Sequence, residues 1–244
     1  MNTKSIEFIN ERPWLTKDSI SCPTPAFKNI ANWYKDADRF VKDPYTEDFY
    51  VSPDKGKIPT WKACPAIFDV ITSGYYLLTP CDIEFYLDKD NKISCDIKDG
   101  KNKGFCTPRQ NMPQFHKPDG YYDQHFAWTI DWGVKLPEGY SALYLQPMNR
   151  FELPFLNTSG IIDNDKIHNA GSLPFFLKDG WTGVINAGTP YVQVFPFKRE
   201  NWESGISIVD SETIYKNMEQ VAQKYRVSDG GVYQKEVWEK RSYI

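Results

Sequence analysis

The chain has 244 residues, 41% hydrophobic and 16% aromatic, with 29 Lys and Arg against 32 Asp and Glu for a formal net charge of −3. That apolar fraction is enough for a core built on large rings, and the lack of a basic excess excludes non-specific nucleic-acid binding through overall charge. The N-terminal MNTKSIEFIN has no apolar export stretch, and no run approaches the roughly eighteen apolar residues of a membrane span, so a soluble protein without a membrane partner is expected. Five cysteines (Cys22, Cys64, Cys81, Cys95 and Cys106) form no CxxC pair and are read as reduced thiols. A zinc site from Cys95, Cys106, His116 and His125 fits no finger spacing.

Residues 1–55 contain one short strand candidate, IEFI at 6–9, among loop signals at Pro13, Pro23, Pro25 and Pro44. A short helical turn is expected within 28–35. Trp14, Phe27, Trp33, Tyr34, Phe40, Tyr45, Phe49 and Tyr50 are spread along this segment. So many rings rarely stay in water, which predicts an aromatic arm that wraps the main domain; the other reading is an aromatic platform for a ligand.

The next stretch, to residue 97, carries β signals. Ala66 to Ile71 is an apolar run broken only by Asp69, Gly74 permits a bend or close approach, and Tyr75 to Leu78 reads as a strand. Pro80 ends it, Asp82 to Leu87 alternates, and Asp88-Lys89-Asp90-Asn91 is a hairpin turn into Lys92 to Ile97. Residues 98–127 lose all period and read as a long loop or insertion holding His116 and His125.

From Trp128 to Glu200 short β runs alternate with turns. YSALYLQP, Leu173 to Leu177 and Tyr191 to Phe197 are the strands; Pro137-Glu138-Gly139, Asn157 to Gly160, Asp179-Gly180 and Ala187-Gly188 are the turns. Asp163-Asn164-Asp165, after the apolar Ile161-Ile162, is either a strand-ending turn or a site. Past Gly205 the period becomes helical: Asp210 or Ser211 caps, Ile214, Met218, Val221 and Tyr225 recur, and Asp229-Gly230-Gly231 stops the helix. The tail with Tyr233, Val237, Trp238 and Tyr243 either docks on a neighbour or closes over a pocket. The domains expected are an arm (1–55), a β domain (56–205) with an insertion at 98–127, and a C-terminal helix and tail (206–244).

Four segments in order resemble the motifs of the dUTPase and dCTP-deaminase superfamily over about residues 70–200. They are Ser73-Gly74-Tyr75-Tyr76-Leu77, Asp131-Trp132-Gly133-Val134 with Pro137-Glu138-Gly139-Tyr140 and Asn149-Arg150-Phe151, Gly160-Ile161-Ile162-Asp163-Asn164-Asp165-Lys166, and Ala187-Gly188-Thr189-Pro190-Tyr191-Val192-Gln193. The resemblance implies a mainly β fold, a distorted jelly roll or β-clip, with an N-terminal arm, one C-terminal helix and a homotrimeric assembly. The whole chain also resembles a family found in tailed-phage genomes, which implies host cytoplasm or the virion as its location and supplies no activity. The departures are specific. Tyr76 stands where the family has an aspartate, Phe151 replaces the phosphate-binding serine, Lys166 replaces the stacking tyrosine, and the glycine-rich closing motif is absent.

A nucleotide pyrophosphatase needs a carboxylate to orient water and cations on the phosphates. By the resemblance, Asp163 orients water, and Asp165 assists it or joins it in holding Mg²⁺. Arg150 and Gln193 hold phosphate oxygens, with Lys198 or Arg199 as further cations, and Tyr76 and Lys166 border the ligand. His168 completes a D-x-D-x-x-H spacing. The reading is a protein that binds a nucleotide or related phosphate ligand, a degenerate nucleotide hydrolase without ordinary dUTPase activity. The alternative is a non-enzymatic trimeric structural protein, a capsid-decoration-like virion component or an interaction module partnered by a phage capsid or host protein.

Overall fold

A computed structural model describes residues 4–52, 56–109, 116–169, 171–224 and 233–244. In chain order the first strands are β1 (Glu7–Asn10), β2 (Thr24–Pro25), β3 (Val51–Ser52), β4 (Gly56–Lys57), β5 (Tyr75–Leu78), β6 (Ile83–Leu87) and β7 (Ile93–Asp96). They continue as β8 (Cys106–Pro108), β9 (Tyr121–Thr129), β10 (Trp132–Lys135), β11 (Tyr140–Leu145) and β12 (Phe155–Asn157). The last are β13 (Gly160–Ile162), β14 (Ser172–Lys178), β15 (Gly183–Ile185) and β16 (Pro190–Lys198). The helices are α1 (Asn32–Asp36), α2 (Pro65–Thr72) and α3 (Ser211–Lys224), followed by a π-helical turn at Tyr233–Val237. The chain divides into two compact units, Met1–Asn29 with Gly74–Arg199 and Tyr243, and Ile30–Ser73 with Glu200–Ser242 and Ile244.

The first unit is mainly β, as expected. Its sheets have the orders β13-β11-β16-β5-β2, β12-β14-β9-β8 and β15-β6-β7, with the pair β1-β10, all antiparallel and none closed into a barrel. β16 lies between β11 and β5, and its first five residues, PYVQV, are all buried. A strand covered on both faces loses the in-out alternation of an edge strand. The core is aromatic. Trp128 from β9 stacks on Phe175 from β14 with centroids 3.8 Å apart, and Phe155 and Tyr191 close on the same indole. Phe85 of β6 meets Phe126 and Phe175 edge-on, which seats the three-stranded sheet on the same cluster.

Two local readings change. The run Ala66 to Ile71, grouped with the β signals, is helical as part of α2: Pro65 opens it with φ already helical, and the Phe68 amide donates to the Cys64 carbonyl at 3.1 Å. An unbroken apolar run carries no period, so it could not separate a buried strand from a helix. The stretch 98–127, read as a loop, holds β8 and most of β9. β9 begins with the half-exposed YYDQ and then buries His125 to Trp128, so its polar first half hid the strand. Asp210 caps α3, its carboxylate accepting from the Thr213 amide at 2.9 Å. Tyr225 and Asp229-Gly230-Gly231, expected to end the helix, lie outside the described residues. All five cysteines are free thiols. Among the described residues no helix is long and apolar enough to cross a membrane.

Gly74 marks a close backbone approach in the first unit. Its φ is +72°, and a Cβ there would stand 2.4 Å from the carbonyl oxygen of Val194. The same residue's carbonyl accepts from the Ala26 amide at 3.0 Å, just where β2 joins β5. Gly74→Ala must therefore strain the backbone and push β5 off β16. A loss of more than ~2 kcal/mol is expected in urea unfolding; a variant as stable as the parent would show that β5 does not depend on this approach.

Candidate functional site

The expected site residues fall into two groups. The first sits at the start of β11. The Pro137 carbonyl accepts from the Tyr140 amide at 3.2 Å across a turn in which Gly139 has φ +81°, and β13 on one side and β16 on the other bring their ends to this turn. Beyond β13 the chain turns through Asp163-Asn164-Asp165, with the Lys166 and Ile167 amides both donating to the Asp163 carbonyl. Asn164 is fully buried. Its side chain accepts from the Tyr144 hydroxyl at 3.2 Å and donates to the Ile167 carbonyl at 3.1 Å. With that middle residue pinned inward, the two aspartates turn towards Ser141 and Arg199.

Arg199, just past β16, clamps them. Its guanidinium donates to both carboxylate oxygens of Asp165, one at 2.8 Å, and to the Tyr140 carbonyl and Ser141 hydroxyl at 2.9 and 3.0 Å. The Gly139 amide adds a bond to Asp165 at 2.9 Å, and the Ser141 hydroxyl donates to Asp163 at 2.6 Å. Asp163 also lies 3.3 Å from Arg199. The Asp165 side chain is only 5% exposed, covered by Arg199 rather than by depth in the core. Lys166 is exposed beside the pair.

The second group surrounds Arg150. Gln193 and Tyr76 face each other in register on β16 and β5, and both are fully buried. The Gln193 side-chain carbonyl accepts from the Met148 amide at 2.8 Å, which holds the bend where Asn149 has φ +56°. Arg150 then lies over the Tyr76 ring, with its guanidinium carbon 5.8 Å from the centroid, pairs with Glu152, and donates to the Asn29 carbonyl at 2.9 Å. A shallow cleft of about 420 Å³ opens beside Arg150, Glu152 and Asn186. Phe151, in the place of the family's serine, is 59% exposed.

These groups do not converge. Along β11, Ser141 faces Phe197 while Leu145 faces Gln193, a separation of four residues or roughly 13 Å. Asp163, Asp165 and Lys166 stand at one end; Arg150, Tyr76 and Gln193 stand at the other. Arg199 holds both oxygens of Asp165, while Asp163 keeps a half-exposed side chain beside the same guanidinium. Among the described residues no three His, Cys, Asp or Glu side chains are grouped to hold a metal. The Nδ1 atom of His168 is buried without a hydrogen-bond partner among the described residues. Ser141 and Asn164 escaped the sequence reading: a small polar residue inside YSALYL and an Asn between two aspartates were the only signals.

No family model matches the chain, and neither does any curated protein sequence. Among solved structures the chain is similar to a mutant dUTPase of Staphylococcus bacteriophage 80alpha, at 14% identity over 53% of this chain and 96% of that one, with a TM-score of 0.23. So loose an overlap carries neither fold nor chemistry across.

The clamp has a measurable consequence. Arg199 hydrogen bonding holds the Asp165 carboxyl well below the usual carboxylate range, with the Gly139 amide adding to it. Asp163 is lowered too, first by the Ser141 hydroxyl and then by Arg199. A depressed native pKa contributes stability that is present above the unfolded value, near pH 4, and is lost as pH falls through the native value. The melting temperature should therefore drop as pH is lowered from about 5 to about 2. In Arg199→Ala the neutral-pH value should be lower and the acid drop shallower. Parallel curves for parent and variant would contradict the clamp.

Proposed function

We propose that this protein is a non-enzymatic structural or interaction protein that assembles with further copies of itself. One observation carries the reading: residues 200–221 expose a run of large apolar side chains. Trp202 is 87% exposed and Ile206 and Ile208 are each 94% exposed, in a segment without regular structure. Ile214, Met218 and Val221 then continue as an exposed stripe along α3. Apolar surface of this extent on a soluble chain marks an interaction site. On adding to the sheet edge of another copy as an extended strand, Ile206 and Ile208 would share one face. The edge strand β13 offers its backbone with Ile161 turned outward.

The site geometry supports the same reading from the other side. A hydrolase needs a carboxylate with an oxygen available to water; both Asp165 oxygens are held by Arg199, with Gly139 bonded to one of them, which leaves the half-exposed Asp163 without its assisting carboxylate. A trimer is the assembly that the superfamily resemblance implies, and a virion or a host protein would then be the larger context.

Sedimentation velocity at about 10 µM should give a species of several chain masses, while Ile206→Asp/Ile208→Asp should sediment as the monomer with an unchanged circular dichroism spectrum. A monomeric parent protein at that concentration would sink the proposal. Incubation with dUTP and Mg²⁺ is expected to release no pyrophosphate above a protein-free control; steady turnover abolished by Asp163→Asn would return the site to an enzyme.

A further inference from the structure

The second unit contains a cavity of about 760 Å³, well within the range of small-molecule sites. One wall is aromatic. Tyr34 of α1 is nearly buried and lies 6.4 Å from Phe68 of α2; Trp238, just past the π-helical turn, meets Phe68 edge-on at 5.9 Å, and Phe40 also borders the space. The rim is cationic, lined by Arg39, Lys62 and Lys235 and by no carboxylate. Two of these cations donate hydrogen bonds to neutral oxygens. Arg39 donates to the Gln234 side-chain carbonyl at 2.7 Å, and Lys62 to the Lys35 backbone carbonyl at 2.5 Å. Their charge is thus oriented, and no ion pair among the described residues neutralises it. The nearby carboxylate of Asp69 is engaged elsewhere, accepting from the Trp238 indole at 3.0 Å and from Arg241 at 2.7 Å. The first of these bonds holds the indole directly and the second anchors its acceptor.

We propose that this cavity binds a small molecule made of a planar ring and a phosphate group. The ring would lie against Trp238, Phe68 and Tyr34, where an aromatic face gains both burial and edge contacts. The phosphate would sit at the rim, where the Arg39 fork and two ammonium groups meet a doubly charged anion. A neutral aromatic compound leaves three cations uncompensated, and a bare phosphate leaves the apolar wall wet; only the combination uses both halves. The site is separate from the Asp163–Arg199 clamp and does not depend on the assembly reading. Free nucleotides and phosphorylated aromatic metabolites share this chemistry.

Titration calorimetry on the full chain distinguishes these sources with phenyl phosphate, free phosphotyrosine, AMP and UMP as probes, and inorganic phosphate, phenol and adenosine as controls. At least one ring phosphate should bind in the micromolar to low millimolar range, at least about tenfold tighter than inorganic phosphate and its own uncharged ring, and more weakly as salt rises. AMP or UMP alone binding identifies the nucleotide source; phenyl phosphate and phosphotyrosine alone identify the aromatic metabolite. Lys235→Gln, an exposed substitution that leaves the fold intact, should weaken binding several-fold. Arg39→Gln/Lys62→Gln should weaken it at least about tenfold, and Arg39→Lys should retain most of it. Trp238→Phe should reduce the advantage of ring phosphates over inorganic phosphate. Silence from every ring phosphate up to about 5 mM, or affinity unchanged in Lys235→Gln and in the double variant, would overturn the proposal.

Discussion

The first unit hangs on one buried indole. Trp128 lies flat on Phe175, and its N–H donates to the Asn157 side chain at 2.9 Å, while the Asn157 amide donates to the Tyr191 carbonyl at 2.5 Å. Asn157 belongs to the sheet of β12, β14, β9 and β8, and Tyr191 to the sheet of β16, so a single side chain ties two sheets across the core. Each such bond contributes only about 1 kcal/mol net, but a buried amide or indole left unpaired would cost about 1–3 kcal/mol. That asymmetry restricts the two sheets to the one relative placement that satisfies all three polar groups. The rings of Phe105, Phe155 and Phe126 fill the remaining space at edge-to-face distances.

The placement of β16 against β11 then decides what Asp163 and Asp165 become. Arg199 follows β16 directly, and its backbone amide is held by the Gly139 carbonyl at 2.9 Å. From there its side chain reaches Tyr140, Ser141 and both aspartates. Two carboxylates close together repel one another and would favour a cation between them; here the protein provides that cation itself. In three dimensions the pair belongs to a strand-end ion cluster in which Asp165 is enclosed and Asp163 stays half-exposed.

Much of the fold was legible in local pattern. Tyr75–Leu78 appeared with its observed bounds, and Ile83–Leu87, Ile93–Asp96, Ser172–Lys178 and Pro190–Lys198 within one residue at each end, because alternation and turn residues act over a few positions. α3 was visible in the recurrence of Ile214, Met218 and Val221 behind a capping Asp210. β9 was not visible, because YYDQ stays half in water and only the HFAW half enters the core. α2 was misread, since an apolar run buried by its neighbours lacks the one-sided period that separates helix from strand. Of the candidate site, the residue types were recognised and their grouping was not. Gln193 reads as a phosphate ligand by its place in a motif, yet it is sealed in the core against Met148.

By itself the sequence determined a mainly β chain with an aromatic core, its turn positions and a single long C-terminal helix, since all of these follow from composition and short-range period. Only the tertiary structure decided which cation meets which carboxylate. Asp165 and Arg199 are 34 residues apart, and their contact exists because β13 and β16 flank β11 in one register. A shift of one residue in either pairing would turn those side chains to the opposite face and leave Asp165 open to solvent. Register is a property of the packed sheets, and no local pattern in the chain encodes it.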